Sequence, residues 1–133
     1  MVCDSILEEY NINVKDRSEI MCSRSSLYAL LDELQHELRS IFGNKLDSVF
    51  LYGSYARGDY DDESDIDVMA LIDIDKSELS KYRRRVSSFA GDIDLKYDVL
   101  LSVKLLDKQT FETYREVLPY YRNILNEGVK LSA

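Results

Sequence analysis

The chain has 133 residues, 45% of them hydrophobic and 32% charged, a balance that fits one soluble globular domain and excludes a disordered tail or a fibre. Its 17 basic against 25 acidic side chains leave a formal net charge of -8, so nonspecific attraction to nucleic acid or to an anionic membrane lacks its usual driving force. A chain of this size supports one core, without room for a separate nucleic-acid-binding domain. The two cysteines, Cys3 and Cys22, are too few for a disulfide framework, and no apolar run approaches the ~18 residues of a membrane span. The first residues lack the basic-then-apolar order of a signal peptide, so a reducing cytoplasm is the expected compartment.

No repeat, low-complexity segment or Pro/Gly/Ser linker divides the sequence, which predicts a single domain over residues 1–133. The opening residues are weakly patterned, with a short helix predicted near Ser5 to Tyr10. From Ser25 the pattern sharpens: Leu27, Leu30, Leu31, Leu34, Leu38, Ile41 and Phe42 form one apolar helical stripe, and Gly43 stands where a left-handed cap belongs. Asp47 to Tyr52 and Ile66 to Ile72 read as buried strands joined by an acidic loop. Leu79, Tyr82, Val86, Phe89 and Ala90 keep helical spacing up to Gly91, the predicted end. The alternation of Ile93, Leu95, Tyr97, Val99, Leu101 and Val103 predicts a third strand, with Asp94 and Asp98 sharing its opposite, polar face. Two helical pieces close the chain within residues 108–127, the second opened by Pro119 and stopped by Gly128. Tyr120 and Tyr121 are read as helix residues packing on the core. The fold class is α+β: a small mixed sheet with carboxylates at one end and helices packed on its other side.

Chemistry concentrates where the first strand ends. Gly53 permits a tight turn and close approach of an anion, Ser54 offers a hydroxyl and an amide, and a helix starting at Tyr55 would aim free N–H groups at a phosphate. Ten residues later, Asp65 and Asp67 stand at i and i+2, so a strand presents both carboxylates on one face. Carboxylate oxygens suit Mg²⁺ completed by substrate phosphates, and a third carboxylate on the next strand would allow a metal pair. Asp94 and Asp98 both fit locally; Asp98 is favoured because its surroundings are more apolar. No Gly-Lys-Ser/Thr follows Gly53, which excludes a P-loop, and Ser64 occupies the position an EF-hand loop starting at Asp59 reserves for glycine. Asp59, Asp61, Asp62 and Glu63 read as solvated loop residues, and His36 as a surface residue on the polar side of its helix.

Gly-Ser, ten residues, then Asp-x-Asp, in GSYARGDYDDESDID, resembles the signature of the DNA polymerase beta-like nucleotidyltransferase superfamily, and most of all its minimal, single-domain branch. The likeness extends across residues 47–103. It implies that Gly53 and Ser54 hold the β- and γ-phosphates of a nucleoside triphosphate, that Asp65, Asp67 and Asp98 hold two Mg²⁺ ions and act in catalysis, and that Arg57 reaches phosphate. Members of that branch pair with HEPN-domain toxins, and some transfer AMP from ATP to a toxin tyrosine. The resemblance therefore implies an ATP-using nucleotidyltransferase acting on a hydroxyl of a partner protein, as the antitoxin of a HEPN toxin. Alternatives are an antibiotic-type enzyme acting on a small-molecule hydroxyl, and an antitoxin that works by binding alone. No direct nucleic-acid or membrane partner is expected, and self-association is left open.

Overall fold

The computed structural model describes residues 17–61 and 63–132, with the side chains of residues 17–25 and 132 excepted. The helix expected near Ser5 to Tyr10 lies outside the described residues. Helix α1 spans Arg17–Phe42, longer at its start than the leucine stripe alone announces. Its Leu27, Leu30, Leu31, Leu34 and Leu38 are buried on one side, as a 3.6-residue period requires. Gly43 ends it with φ +57, the left-handed conformation that glycine adopts without a Cβ penalty.

Strands β1 (Leu46–Tyr52) and β2 (Ile66–Ile72) pair antiparallel, with Tyr52 opposite Asp67. Between them lies one helical turn, α2 (Ser54–Arg57), closed by Gly58 at φ +86. Helix α3 spans Ser80–Tyr97, and strand β3 (Leu101–Asp107) follows parallel to β2 with Ser102 beside Asp67. Helices α4 (Lys108–Tyr114) and α5 (Pro119–Glu127) come next, Pro119 sitting in the first turn of α5 as expected. A short strand β4 (Val129–Ser132) then pairs antiparallel with β1, giving the sheet order β3-β2-β1-β4.

The helix does not stop at Gly91, and the third strand does not begin at Ile93: α3 runs through both and ends at Asp98, whose φ is +54. Residues 93–97 satisfy both periods, and burial decides between them. Ile93 continues the buried stripe of Leu79, Val86 and Ala90 with 2% exposure, whereas Leu95, which a strand would bury beside it, is 87% exposed. Asp94 caps the crossing into the sheet, its Oδ1 accepting the N–H of Leu101 at 2.7 Å. Asp94 and Asp98 therefore do not share a strand face.

Strand alternation divides the core in two. Val49, Leu51, Val68, Ala70 and Ile72 pack against α1 and α3 on one face, while Tyr52, Met69 and Leu71 pack with Phe111 of α4 and Ile124 of α5 on the other. Helices thus cover both faces of the sheet instead of one. Tyr121 joins the second core against Phe111, with ring centroids 5.4 Å apart, while Tyr120 remains exposed. No helix among the described residues is long and apolar enough to cross a membrane.

Candidate active site

The end of β1 and the start of β2 meet at Gly53. Its backbone stands at φ +74 and ψ -155, a region open almost only to glycine. A second constraint comes from across the ladder: a Cβ placed on Gly53 would lie 2.6 Å from Oδ2 of Asp67. The missing side chain is what lets the carboxylate lie against the turn. The Gly53 carbonyl accepts the N–H groups of both Ala56 and Arg57 at 3.1 Å, so the amides of Ser54 and Tyr55 head the turn ahead of its first internal bonds.

The acidic loop is ordered by local bonds. Asp61 Oδ1 accepts the N–H of Glu63 at 2.9 Å, the hydroxyl of Ser64 accepts the N–H of Asp61 at 2.9 Å, and the ring of Tyr60 stacks on Tyr55 with centroids 4.1 Å apart. Ile66 is pinned beside β3 by donating its N–H to the Leu100 carbonyl at 2.8 Å. These contacts place Asp65, exposed, immediately before β2, and Asp67, half-buried, in its first turn of pleat.

Asp65 and Asp67 influence each other. Burial pushes the Asp67 carboxyl above the ordinary aspartate value, the negative charge of Asp65 pushes it further, and the positive charges of Lys104 and Arg57 oppose the rise. Two oxygen-donor groups that repel one another, one set against a glycine turn, form a donor set suited to a hard divalent cation such as Mg²⁺. Beside them, the hydroxyls of Tyr52 and Tyr120 are hydrogen-bonded at 2.8 Å. The Tyr52 phenol is pushed far above the usual tyrosine range, first by burial, then by that bond, and also by the charges of Tyr120 and Asp67.

Asp98 is exposed at the end of α3 and shares with Asp65 a cavity of about 500 Å³, whose walls include Leu30, Tyr55, Tyr97 and Val99. It does not stand on β3; the β3 residue beside Asp67 is Ser102. Among the described residues, no three carboxylate, histidine or cysteine side chains come together closely enough to share a metal ion. Arg57 is exposed and faces Asp59 at 3.4 Å and Glu127 at 3.7 Å. His36 is exposed near Asp32. Lys104, Ser102 and the Tyr52–Tyr120 pair are not singled out by the sequence; the available signal is a lysine between the apolar residues Val103 and Leu105 of LSVKLLD.

A glycine turn set against paired carboxylates at the end of a mixed, helix-covered sheet is the arrangement of an enzyme that handles nucleotide phosphates. Residues 31–131 match the family described as nucleotidyltransferase domain, and the chain belongs to that family. Two proteins of Methanocaldococcus jannaschii, each named "putative protein adenylyltransferase", are similar to it. One is 39% identical over 84 residues, covering 63% of this chain and 82% of the relative; the other is 31% identical over 98 residues, covering 74% and 90%. The crystal structure of a "putative nucleotidyltransferase" from Sulfolobus solfataricus superposes with a TM-score of 0.52 and 25% identity, covering 77% of this chain and 76% of that one.

Proposed function

We propose that this nucleotidyltransferase depends on a divalent metal and moves AMP from ATP onto a hydroxyl of a partner protein. The observation that carries the reading is the pairing of Asp67, seated against the Gly53 turn, with Asp65 beside it. The names of the two relatives support ATP as donor and a protein as acceptor. The resemblance to the minimal branch of the superfamily, whose members pair with HEPN-domain toxins, supports a HEPN-type toxin as that protein, with this chain its cytoplasmic antitoxin.

Asp65 and Asp67 would hold the metal, Mg²⁺ by the chemistry of their oxygens. When bound, the metal supplies positive charge to the α-phosphate and to the oxygens entering and leaving it. The Gly53 turn holds Asp67 in place, and the Ser54 hydroxyl and amide bind the departing pyrophosphate. An acceptor hydroxyl attacks the α-phosphorus, the bond to the β-phosphate oxygen breaks, and the acceptor proton is released to a neighbouring base or water. Asp98 stands at the end of α3 and not on β3, so its role lies outside the metal pair, at the rim of the cavity it shares with Asp65, facing the bound nucleotide.

Thermal stabilisation by ATP, GTP, CTP and UTP, with Mg²⁺ and with chelator, tests the reading. ATP is expected to raise the unfolding midpoint only with Mg²⁺, and Asp65→Asn to abolish the rise. Stabilisation that persists in chelator, or none at millimolar ATP, would overturn it and leave neutralisation by binding alone.

A further inference from the structure

Two cations act on Asp67, and they are not in equivalent states. Arg57 is engaged on both sides, by Asp59 at 3.4 Å and by Glu127 at 3.7 Å. Lys104 has no ion pair with any described carboxylate, and its Nζ instead stands 5.4 Å from the centroid of the Tyr120 ring. It reaches this place through the register of the sheet. Ser102 is the β3 partner of Asp67, Lys104 is the partner of Met69, and residues two apart share a face, so Lys104 is the diagonal neighbour of Asp67.

The platform under the lysine is itself fixed. The Tyr120 hydroxyl is bonded to Tyr52, and Tyr52 is the cross-strand partner of Asp67 on the other side. A row of side chains from β1, β2 and β3 thus runs Tyr52, Asp67, Ser102, and Lys104, on the same face of the sheet, sets its ammonium against the Tyr120 ring. A cation over an aromatic ring at an exposed site keeps its charge available, since the contact is weak and leaves its N–H donors open on the other side. An anion arriving at the carboxylates meets Lys104 without competing with a carboxylate partner, whereas at Arg57 it competes with two.

We propose that Lys104, carried on the Tyr120 ring, forms a phosphate subsite on the Asp67 side of the site and supplies the cation that the phosphate chain of the nucleotide contacts. The proposal rests on the nucleotide reading above. It assigns to β3 a basic group beside Asp67, where a third carboxylate was expected, and it moves the phosphate-contacting role from Arg57 to Lys104. The charge sense is consistent: a polyphosphate entering beside two carboxylates needs positive charge on its other flank.

Calorimetric titration of ATP with Mg²⁺ into wild type, Lys104→Met, Lys104→Arg, Arg57→Met and Lys81→Met tests this. Lys81 is exposed at the start of α3, paired with Glu78, and serves as a control for net charge. The expected result is roughly tenfold weaker binding in Lys104→Met, near-recovery in Lys104→Arg, a smaller loss in Arg57→Met and none in Lys81→Met. Binding of ATP by Lys104→Met as tight as by wild type overturns the proposal, and so does an equal loss in Lys81→Met. Wild type that binds no ATP defeats the nucleotide reading and the subsite with it. Because Lys104 is exposed, the ligand-free unfolding midpoints of its variants should match wild type, which separates lost contact from lost fold.

Discussion

Gly53 and Asp67 share one volume: the space a Cβ on Gly53 would fill lies 2.6 Å from the Asp67 carboxylate oxygen. Gly53→Ala therefore meets two penalties, a backbone at φ +74 that alanine resists and a displaced carboxylate. A loss of about 1–3 kcal/mol in urea unfolding is expected from the strain. Mg²⁺-dependent ATP binding should fall further than that loss explains, and unchanged binding in a folded variant would show that the contact does not position Asp67.

Asp67→Asn is expected to separate stability from function. The Asp67 carboxyl titrates above its ordinary value, so the folded chain holds that proton after the unfolded chain has released it. Its contribution to stability is full below the ordinary value of 3.8 and is lost as pH rises through the higher folded value. Without metal at pH 7, the asparagine variant should unfold at a higher urea concentration than wild type, with the advantage shrinking toward pH 3.8. The same variant should lose stabilisation by ATP with Mg²⁺. A variant less stable than wild type at pH 7 would contradict the rise that burial, and after it the Asp65 charge, imposes on this carboxyl.

Asp98→Asn tests the corrected placement of that residue. Asparagine tolerates the left-handed backbone found there, so the change removes charge without strain, while Asp98→Val at φ +54 should destabilise the fold. ATP affinity with Mg²⁺ should change by no more than about threefold in Asp98→Asn, against a loss of at least about tenfold in Asp65→Asn, as measured by calorimetry. Equal losses would return Asp98 to the metal set.

Tyr52→Phe removes a buried hydroxyl bonded to Tyr120 and should cost about 0.5–1.5 kcal/mol at pH 7. Burial, the bond and nearby negative charge keep the Tyr52 phenol protonated in the folded chain at pH values where the unfolded chain ionises. That component of stability is complete below the ordinary tyrosine value of 10.0 and declines above it. The gap between wild type and Tyr52→Phe should therefore narrow as pH passes 10.0, as followed by urea midpoints; a gap that stays constant would count against the shift.

Gly91→Ala should stabilise the protein by about 0.5–1 kcal/mol in thermal or urea unfolding, since Gly91 lies inside α3 and a Cβ there meets nothing within 4 Å. A sequence reading that ends the helix at Gly91 predicts no such gain.

What the residues determined by themselves was local. The leucine stripe of α1, the two hydrophobic strands, Pro119 at the head of α5 and the Gly-Ser/Asp-x-Asp spacing each depend on neighbours a few positions away, so period and turn chemistry reveal them. Residues 92–98 were ambiguous because apolar residues at 93, 95 and 97 suit a strand while 86, 90 and 93 suit a helix. Only the packing of Ile93 onto the sheet, with Leu95 left in water, chose the helix and carried Asp98 away from β3. β4 escaped because a four-residue strand carries almost no period, and it exists through pairing with β1. Lys104 comes beside Asp67 through strand register, and Tyr120 meets Lys104 and Tyr52 through the docking of α5 across the sheet, relations between residues distant along the chain. The tertiary structure alone decided them, because which side chains face one another across a sheet is fixed by how strands pair and not by what any one strand contains.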